Sequence, residues 1–330
     1  YQVGYGRTYQ ASREYFDRHL RIVPRVLTNV SEISLETTIF GHTYNNPIII
    51  APTAFHRLAH NDGEWATAQG ATSAESIYIY NWTFSTVSVE SPKWLHVYLS
   101  SPKPLLEKCI LLAEQHSFKA IVVTCDNPHH RIRSVHGPAF IQAIERKQDT
   151  KLTELMYTPN TKYDKLQINP RLDEYTPDEK LTWKEFQWLR ALTKLPISTV
   201  LTESWSGKAE LSFVSKTRKP FLHSNHGGRH VDSGLSAIEC LKDIVEFVNG
   251  RCEVFIDSGI RTGTDVLKCL ALGAKGVLLG RSILYGLACG GHDGVKAVLN
   301  LLKHELMYDM ASCGLTSIEQ INERVLYKHH

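Results

Sequence analysis

The chain has no Cys-x-x-Cys pair, no His-x-His or His-Glu-x-x-His spacing, no run approaching 18 apolar residues and no dense block of lysine and arginine. Each absence excludes something. Seven cysteines scattered without close pairing argue against a disulfide framework or a zinc site and for a reducing compartment. Without a long apolar run there is no candidate for a membrane-spanning helix, and the opening YQVGYGRTYQASREYFDRHL lacks the apolar stretch of a secretion signal. The 37 basic residues against 34 acidic ones leave a net charge of +3, too balanced to suggest a nucleic acid or a membrane surface as partner. His129, His130, His223 and His230 invite a metal reading, but 16 histidines make adjacent pairs a matter of composition, and no metal is expected. The last residues, Tyr327-Lys328-His329-His330, are not a Ser-Lys-Leu type peroxisomal address. The expectation is an intracellular protein, peroxisomal or cytoplasmic, that works on a small molecule.

What the chain does have is 330 residues with 42% hydrophobic and 22% charged, enough for one large α/β domain or two smaller ones. Eight short apolar runs bounded by turn signals recur at 46–56, 76–83, 94–99, 119–128, 196–202, 220–227, 253–260 and 276–283. Between them lie helical patterns. Residues 102–117 put Leu105, Leu106, Cys109, Leu112 and Ala113 on one face. Ser236-x-x-Glu239 is a capping box ahead of Ile238, Leu241, Ile244, Val245 and Val248, with Gly250 as the stop. Thr182-x-x-Glu185 and Thr262-x-x-Asp265 open two more helices in the same way. Eight strands alternating with helices close most simply into a TIM (β/α)8 barrel, here a single domain over 1–330 with a long polar insertion, 134–181, after the fourth strand.

In such a barrel the working residues sit at the C-terminal ends of strands and in the loops that follow. That gives an address to FLHSNHGGRHVD, residues 221–232, where His226 and Arg229 flank two glycines at the end of the sixth run. Asp257-Ser258-Gly259-Ile260-Arg261 follows the seventh run and Gly280-Arg281 the eighth, which supplies glycines and arginines where a phosphate-bearing cofactor can bind; surface ion pairs are the plain alternative. Thr124-Cys125-Asp126 ends the fourth run. A carboxylate there could orient a histidine base, and Arg133 with Arg229 could clamp a substrate carboxylate in bidentate fashion.

These stretches, together with APTAFHRLAHNDGEWATA (51–68), VVTCDNP, FIDSGIRTGTDVLKCLALGAKGVLLGR (255–281) and GVKAVLNLLKHEL, closely resemble the FMN-dependent 2-hydroxy-acid oxidase and dehydrogenase family, and the resemblance covers nearly the whole chain. It implies an FMN-holding barrel that oxidises an L-2-hydroxy acid to a 2-oxo acid, with hydrogen peroxide formed from oxygen in the oxidase branch. Family members are commonly tetramers, and eukaryotic ones are often peroxisomal.

Carried over by motif, His226 resembles the catalytic base and Asp126 its partner carboxylate. Arg229 and Arg133 resemble the holders of the substrate carboxylate, with Tyr98, Trp82 and Tyr1 as further substrate contacts. The flavin side corresponds to Ala51, Pro52, Thr53, Ala54, Asn81, His96 and Thr124 around the ring, and to Asp257, Gly259, Arg261, Gly280 and Arg281 at the ribityl phosphate.

The chain departs from the family pattern on the flavin side. Where a lysine usually follows the fifth strand, this chain has Val200, and Lys208 lies eight residues on. His96 replaces a usual glutamine, Asn81 a usual serine, and Ser258 interrupts a usual Asp-Gly-Gly. Two readings therefore stay open: a working FMN enzyme with altered flavin electronics, or a non-catalytic relative that binds flavin weakly or not at all and serves as a binding or structural protein.

Overall fold

A computed structural model of the chain describes residues 5–81, 92–125, 182–202 and 220–327. The expected insertion at 134–181 lies outside the described residues, as do His129, His130 and Lys208. Eight strands form a closed, wholly parallel barrel: β1 (Ile48–Ile50), β2 (Ile77–Asn81), β3 (Lys93–Tyr98), β4 (Ile121–Thr124), β5 (Ile197–Thr202), β6 (Phe221–Ser224), β7 (Val254–Ile256) and β8 (Gly276–Leu279), with β8 pairing back onto β1. Each falls within or against one of the eight apolar runs. The observed strands are shorter than the runs, because loop residues such as Ala51 and Pro52 continue the apolar composition after the ladder has ended.

Alternation explains why the runs are continuous. Side chains on a strand point to opposite faces in turn. Ile49, Ile79, Trp94, Val122, Val200, Leu222, Phe255 and Leu278 pack together inside the barrel, while neighbours such as Ile48, Ile50, Val123, Phe221 and Ile256 pack outward in the cluster shared with the helices. Both faces are buried, so neither can be polar. The foot of the barrel is closed by an antiparallel hairpin, Thr37–Ile39 with His42–Tyr44. Its turn places the Phe40 ring 4.9 Å from Trp94 and 5.6 Å from Phe255, and both Glu253 carboxylate oxygens accept from the Phe40 N–H at 3.2 Å.

The helices are α1 (Arg7–Arg18), α2 (Gly63–Ser73), α3 (Lys103–Gln115), α4 (Trp183–Ala191), α5 (Ala237–Val248), α6 (Gly263–Ala271) and α7 (Arg281–Ser312). All three expected capping boxes are present, at Thr182, Ser236 and Thr262. On α3 the buried stripe is Leu106, Cys109, Ile110 and Ala113, with Leu105 and Leu112 only partly buried, a slight rotation from the expected face. α5 stops at Asn249, itself left-handed at φ 46°, with Gly250 at φ 70° after it. α7 bends sharply where Gly290 and Gly291 leave helical geometry, which brings Gly286 against Gly294.

The first helix is not part of the alternation. Its first turns pack against the loops after β6 and β7, where Tyr9 meets Gly228 and Ser12 meets Gly259, its later turns lie against α5 and α6, and its N-terminus is capped from a distance. Its own N-cap, Gly6, has no side chain to offer. The Asp232 carboxylate instead accepts from the Tyr5 N–H at 2.9 Å and the Arg7 N–H at 2.7 Å, where the positive end of the helix dipole also favours an anion. These hydrogen bonds hold the Asp232 carboxyl below its ordinary pKa. Thr8 Oγ1 donates to the carbonyls of the same loop and accepts from the Gly234 N–H at 2.8 Å. No described helix is long and apolar enough to cross a membrane.

Candidate active site

Following the inward positions upward along each strand shows how the sequence builds the site. Apolar residues fill the barrel below, and two residues further on the same parity leads to the site: from Trp94 to His96 and Tyr98 on β3, from Val122 to Thr124 on β4, from Leu222 to Ser224 on β6 with His226 in the loop after it, from Phe255 to Asp257 just after β7, and from Leu278 to Gly280 just after β8. All of these line one cleft at the C-terminal mouth. On β3, β4 and β6 the core thus ends, and the site begins, within one strand.

One end of the cleft is cationic. Arg261, Arg281 and Arg229 line it with Gly259 and Gly280, and among the described residues neither Arg261 nor Arg281 pairs with a carboxylate. Burial, and then the neighbouring charges of Arg261 and Arg229, hold the Arg281 pKa below its ordinary value. Arg281 opens α7, lies 4.7 Å over the Tyr9 ring and donates from Nη2 to the Gly227 carbonyl at 2.7 Å. A Cβ at Gly227 would stand 2.4 Å from that same nitrogen and push the guanidinium aside, and the φ of 66° there favours glycine in any case. Arginines without a paired carboxylate, beside glycines and a helix N-terminus, can hold an anion.

Across the barrel, on β3 to β5, the wall consists of His96, Tyr98, Thr124 and Val200. The rings of His96 and Tyr98 meet edge to face at 4.7 Å, and His96 Nε2 lies 2.8 Å from Thr124 Oγ1. Thr124 and Val200 are register partners, so the apolar Val200 stands beside this polar pair. The third wall is Ala51, Pro52 and Thr53 after β1. Thr53 is fixed from behind by the buried His56, whose Nε2 lies 2.5 Å from Thr53 Oγ1 and whose Nδ1 lies 2.8 Å from Thr67 Oγ1. Burial lowers the His56 pKa to about 4, so the ring is neutral at pH 7 and can serve one hydroxyl as donor and the other as acceptor. Glu64, pushed up to about 7 by the same burial, accepts from the His56 N–H at 3.0 Å.

The loop after β6 carries His226 and Arg229. His226, Gly227 and Gly228 are left-handed in succession, with φ of 52°, 66° and 73°. Such a conformation is strained for histidine and is held here by a hydrogen bond on every amide: His226 N–H to Ser224 Oγ at 2.8 Å, Gly227 N–H to Ser258 Oγ at 3.0 Å, and Gly228 N–H to the Asn225 carbonyl at 2.9 Å. The ring of His230 lies 4.1 Å from that of His226.

The cleft brings together most of the expected site: Ala51, Pro52, Thr53, His96, Tyr98, Thr124, His226, Arg229, Asp257, Gly259, Arg261, Gly280 and Arg281. Ala54 and Asn81 are not among its lining residues; Asn81 is buried on β2, in register with His96. Asp126, Arg133, Trp82 and Tyr1 lie outside the described residues. His223, weighed at first as a metal candidate, faces outward from β6, fully buried, and burial lowers its pKa to about 4. Sequence reasoning left Leu222, Ser224, Ser258 and Leu278 out of the site. The period of two would have found the first, second and fourth; Ser258 carries no such signal.

This arrangement can hold a phosphate-bearing planar ligand with one end on the arginines, and present a histidine and a further arginine to a small acid at the mouth. A family model described as FMN-dependent dehydrogenase matches residues 2–328. The human protein named 2-hydroxyacid oxidase 2 is 38% identical over 324 residues, which is 94% of this chain and 87% of that protein. A peroxisomal (S)-2-hydroxyacid oxidase of Arabidopsis thaliana is 37% identical over 92% of this chain and 84% of its own length. A solved mandelate oxidase variant with (S)-mandelic acid superposes with a TM-score of 0.81 at 29% identity, covering 98% of this chain and 90% of that one. With the barrel, the cationic cleft and these likenesses over nearly its full length, the chain belongs to the FMN-dependent dehydrogenase family.

Proposed function

We propose that the protein is an FMN-dependent (S)-2-hydroxy-acid oxidase, which converts a small L-2-hydroxy acid to the 2-oxo acid with oxygen as the final acceptor, giving hydrogen peroxide. The observation that carries this reading is the convergence, in one cleft, of an acid-free arginine pair with a strained His226–Arg229 loop. The residues fit the cofactor. Arg261, Arg281, Gly259 and Gly280 would hold its phosphate, while Ala51, Pro52 and Thr53 on one side and His96, Thr124 and Val200 on the other would flank the ring. When bound, FMN accepts the two electrons released as the hydroxy acid is oxidised.

The protein's own groups do the rest. Arg229 binds the substrate carboxylate, Tyr98 faces the hydroxyl, and His226 takes the proton that leaves. Asp126, Arg133, Trp82 and Tyr1 are proposed as further contacts on the resemblance alone. The non-catalytic reading gains nothing from the relatives, which at 33–38% identity are named as oxidases.

The test is an absorbance spectrum of the purified protein before and after anaerobic addition of glycolate, L-lactate or (S)-mandelate. A bound flavin that bleaches with one of them is expected; a protein that cannot be loaded with FMN would overturn the proposal. Val200 gives a second prediction. An ammonium at this buried position would stabilise negative charge gathering on the ring, an effect worth on the order of 10² in rate when one such group is removed elsewhere. Val200→Lys should therefore tighten FMN or speed its reduction at least tenfold. If neither changes, the missing cation has no bearing on catalysis here.

A further inference from the structure

We infer that Ser258 is a positioning residue for His226 in this chain, where glycine is usual in the family: its hydroxyl ties the loop after β7 to the loop that carries the proposed base, and turnover here, rather than folding, depends on that tie. The inference rests on the reading of His226 given above.

Ser258 lines the cleft with φ of 76°, and Gly259 beside it has φ of 80°. Glycine is the residue that adopts this conformation without strain, and a serine in its place is held there by its surroundings. Those surroundings are specific. Ser258 Oγ donates to Asp257 Oδ1 at 2.6 Å and accepts from the Gly227 N–H at 3.0 Å. The result is a chain of hydrogen bonds from an amide through a hydroxyl to a carboxylate, in which each bond polarises the next. It starts on the residue directly after His226.

The other two amides of the left-handed run are satisfied within the β6 segment, by Ser224 and by the Asn225 carbonyl. The Gly227 amide is satisfied from another strand of the barrel. Through it the position of the histidine is referred to β7, which also presents Asp257 and Gly259 to the same cleft. A lost hydroxyl would leave the loop free to shift by a fraction of an ångström, and displacements of that order at a reacting group cost about tenfold or more in rate.

A structural role and a positioning role make opposite predictions for Ser258→Gly and Ser258→Ala in the flavin-loaded enzyme. Both variants lack the hydroxyl, but glycine relieves the strain at φ 76° while alanine retains it. Ser258→Gly is therefore expected to melt a few degrees above Ser258→Ala. Yet both should lose kcat alike, by about tenfold, for whichever of glycolate, L-lactate and (S)-mandelate the wild type oxidises fastest. KM, compared at saturating FMN, should stay within about twofold, since Arg229 is untouched.

Hydrogen exchange at the Gly227 amide should quicken in both variants. Wild-type kcat in Ser258→Gly would overturn the inference, as would activity that follows melting temperature, with glycine the better enzyme. Unchanged exchange at Gly227 would show that the tether is not made. A failure of the underlying reading looks different: flavin reduction would then persist in a His226 variant, whatever the exchange at Gly227 shows.

Discussion

Replacing His226 with alanine is expected to slow substrate-driven bleaching of the bound flavin by about a thousandfold, within the 10² to 10⁴ that a positioned general base contributes, while FMN affinity stays within a few fold. The two halves of the outcome come from the geometry. His226 stands on the loop after β6, and the arginine pair that would anchor the cofactor phosphate comes from the loops after β7 and β8. Arg281 hydrogen-bonds the His226 loop at the Gly227 carbonyl, and His226→Ala leaves that carbonyl in place. Stopped-flow absorbance under nitrogen reads the first half, and fluorescence titration with FMN the second. Reduction at the wild-type rate would remove His226 from the mechanism. Loss of FMN along with activity would show instead that the loop and the anion site stand or fall together.

A second substitution should act on the fold itself. A Cβ built at Gly294 would lie 1.9 Å from the Gly286 carbonyl oxygen, across the bend that Gly290 and Gly291 make in α7. The obstacle is backbone, so no rotamer change relieves it, and Gly294→Val must separate the two limbs of the bend. Overpacking with forced backbone movement costs about 3 kcal/mol or more. The first limb begins at Arg281, so the anion site should suffer with it. The expected result is a fall in melting temperature of about 4 °C or more, together with weakened FMN binding. A variant as stable as the wild type would mean that the limbs are not in contact in solution.

The barrel was legible because its strands are buried on both faces, and continuous apolar runs such as Ile48–Ile50 and Ile121–Thr124 stand out against polar loops. Capping boxes were legible for another reason: Ser236 and Glu239 satisfy amides within four residues, so the whole interaction lies in one short window of sequence. The hairpin at the foot was not foreseen. Its turn is Phe40-Gly41, with Phe40 left-handed at φ 53°, where an asparagine or aspartate would have signalled the turn; the ring fills the barrel floor instead. Nor was the use of α1 foreseen, since Asp232 and Thr8 make sense only once residues more than 220 apart in sequence are brought together. Within the site, His226, Arg229, Arg261 and Arg281 could be read because charged and glycine-rich loops after strands are conspicuous. Ser258 stood out as a departure from a usual Asp-Gly-Gly, but its link to the His226 loop could not be read, because that depends on a φ of 76° and a hydrogen bond to the Gly227 amide 31 residues away.

The capping of α1 by Asp232 also sets an order of events during synthesis. The helix leaves the ribosome early, with no cap of its own at Gly6, and the carboxylate that accepts from the Arg7 amide lies 225 residues further along the chain. At roughly 5–20 residues per second, the wait between the two is about 11 to 45 s. During that interval an amphipathic 12-residue segment has neither its cap nor the loops it covers, and a helix so short is marginal alone in water. The cap of α1 is therefore among the later contacts to be made, and a nascent chain halted before residue 232 should leave residues 7–18 open to protease or chaperone, whatever the state of the strands already made.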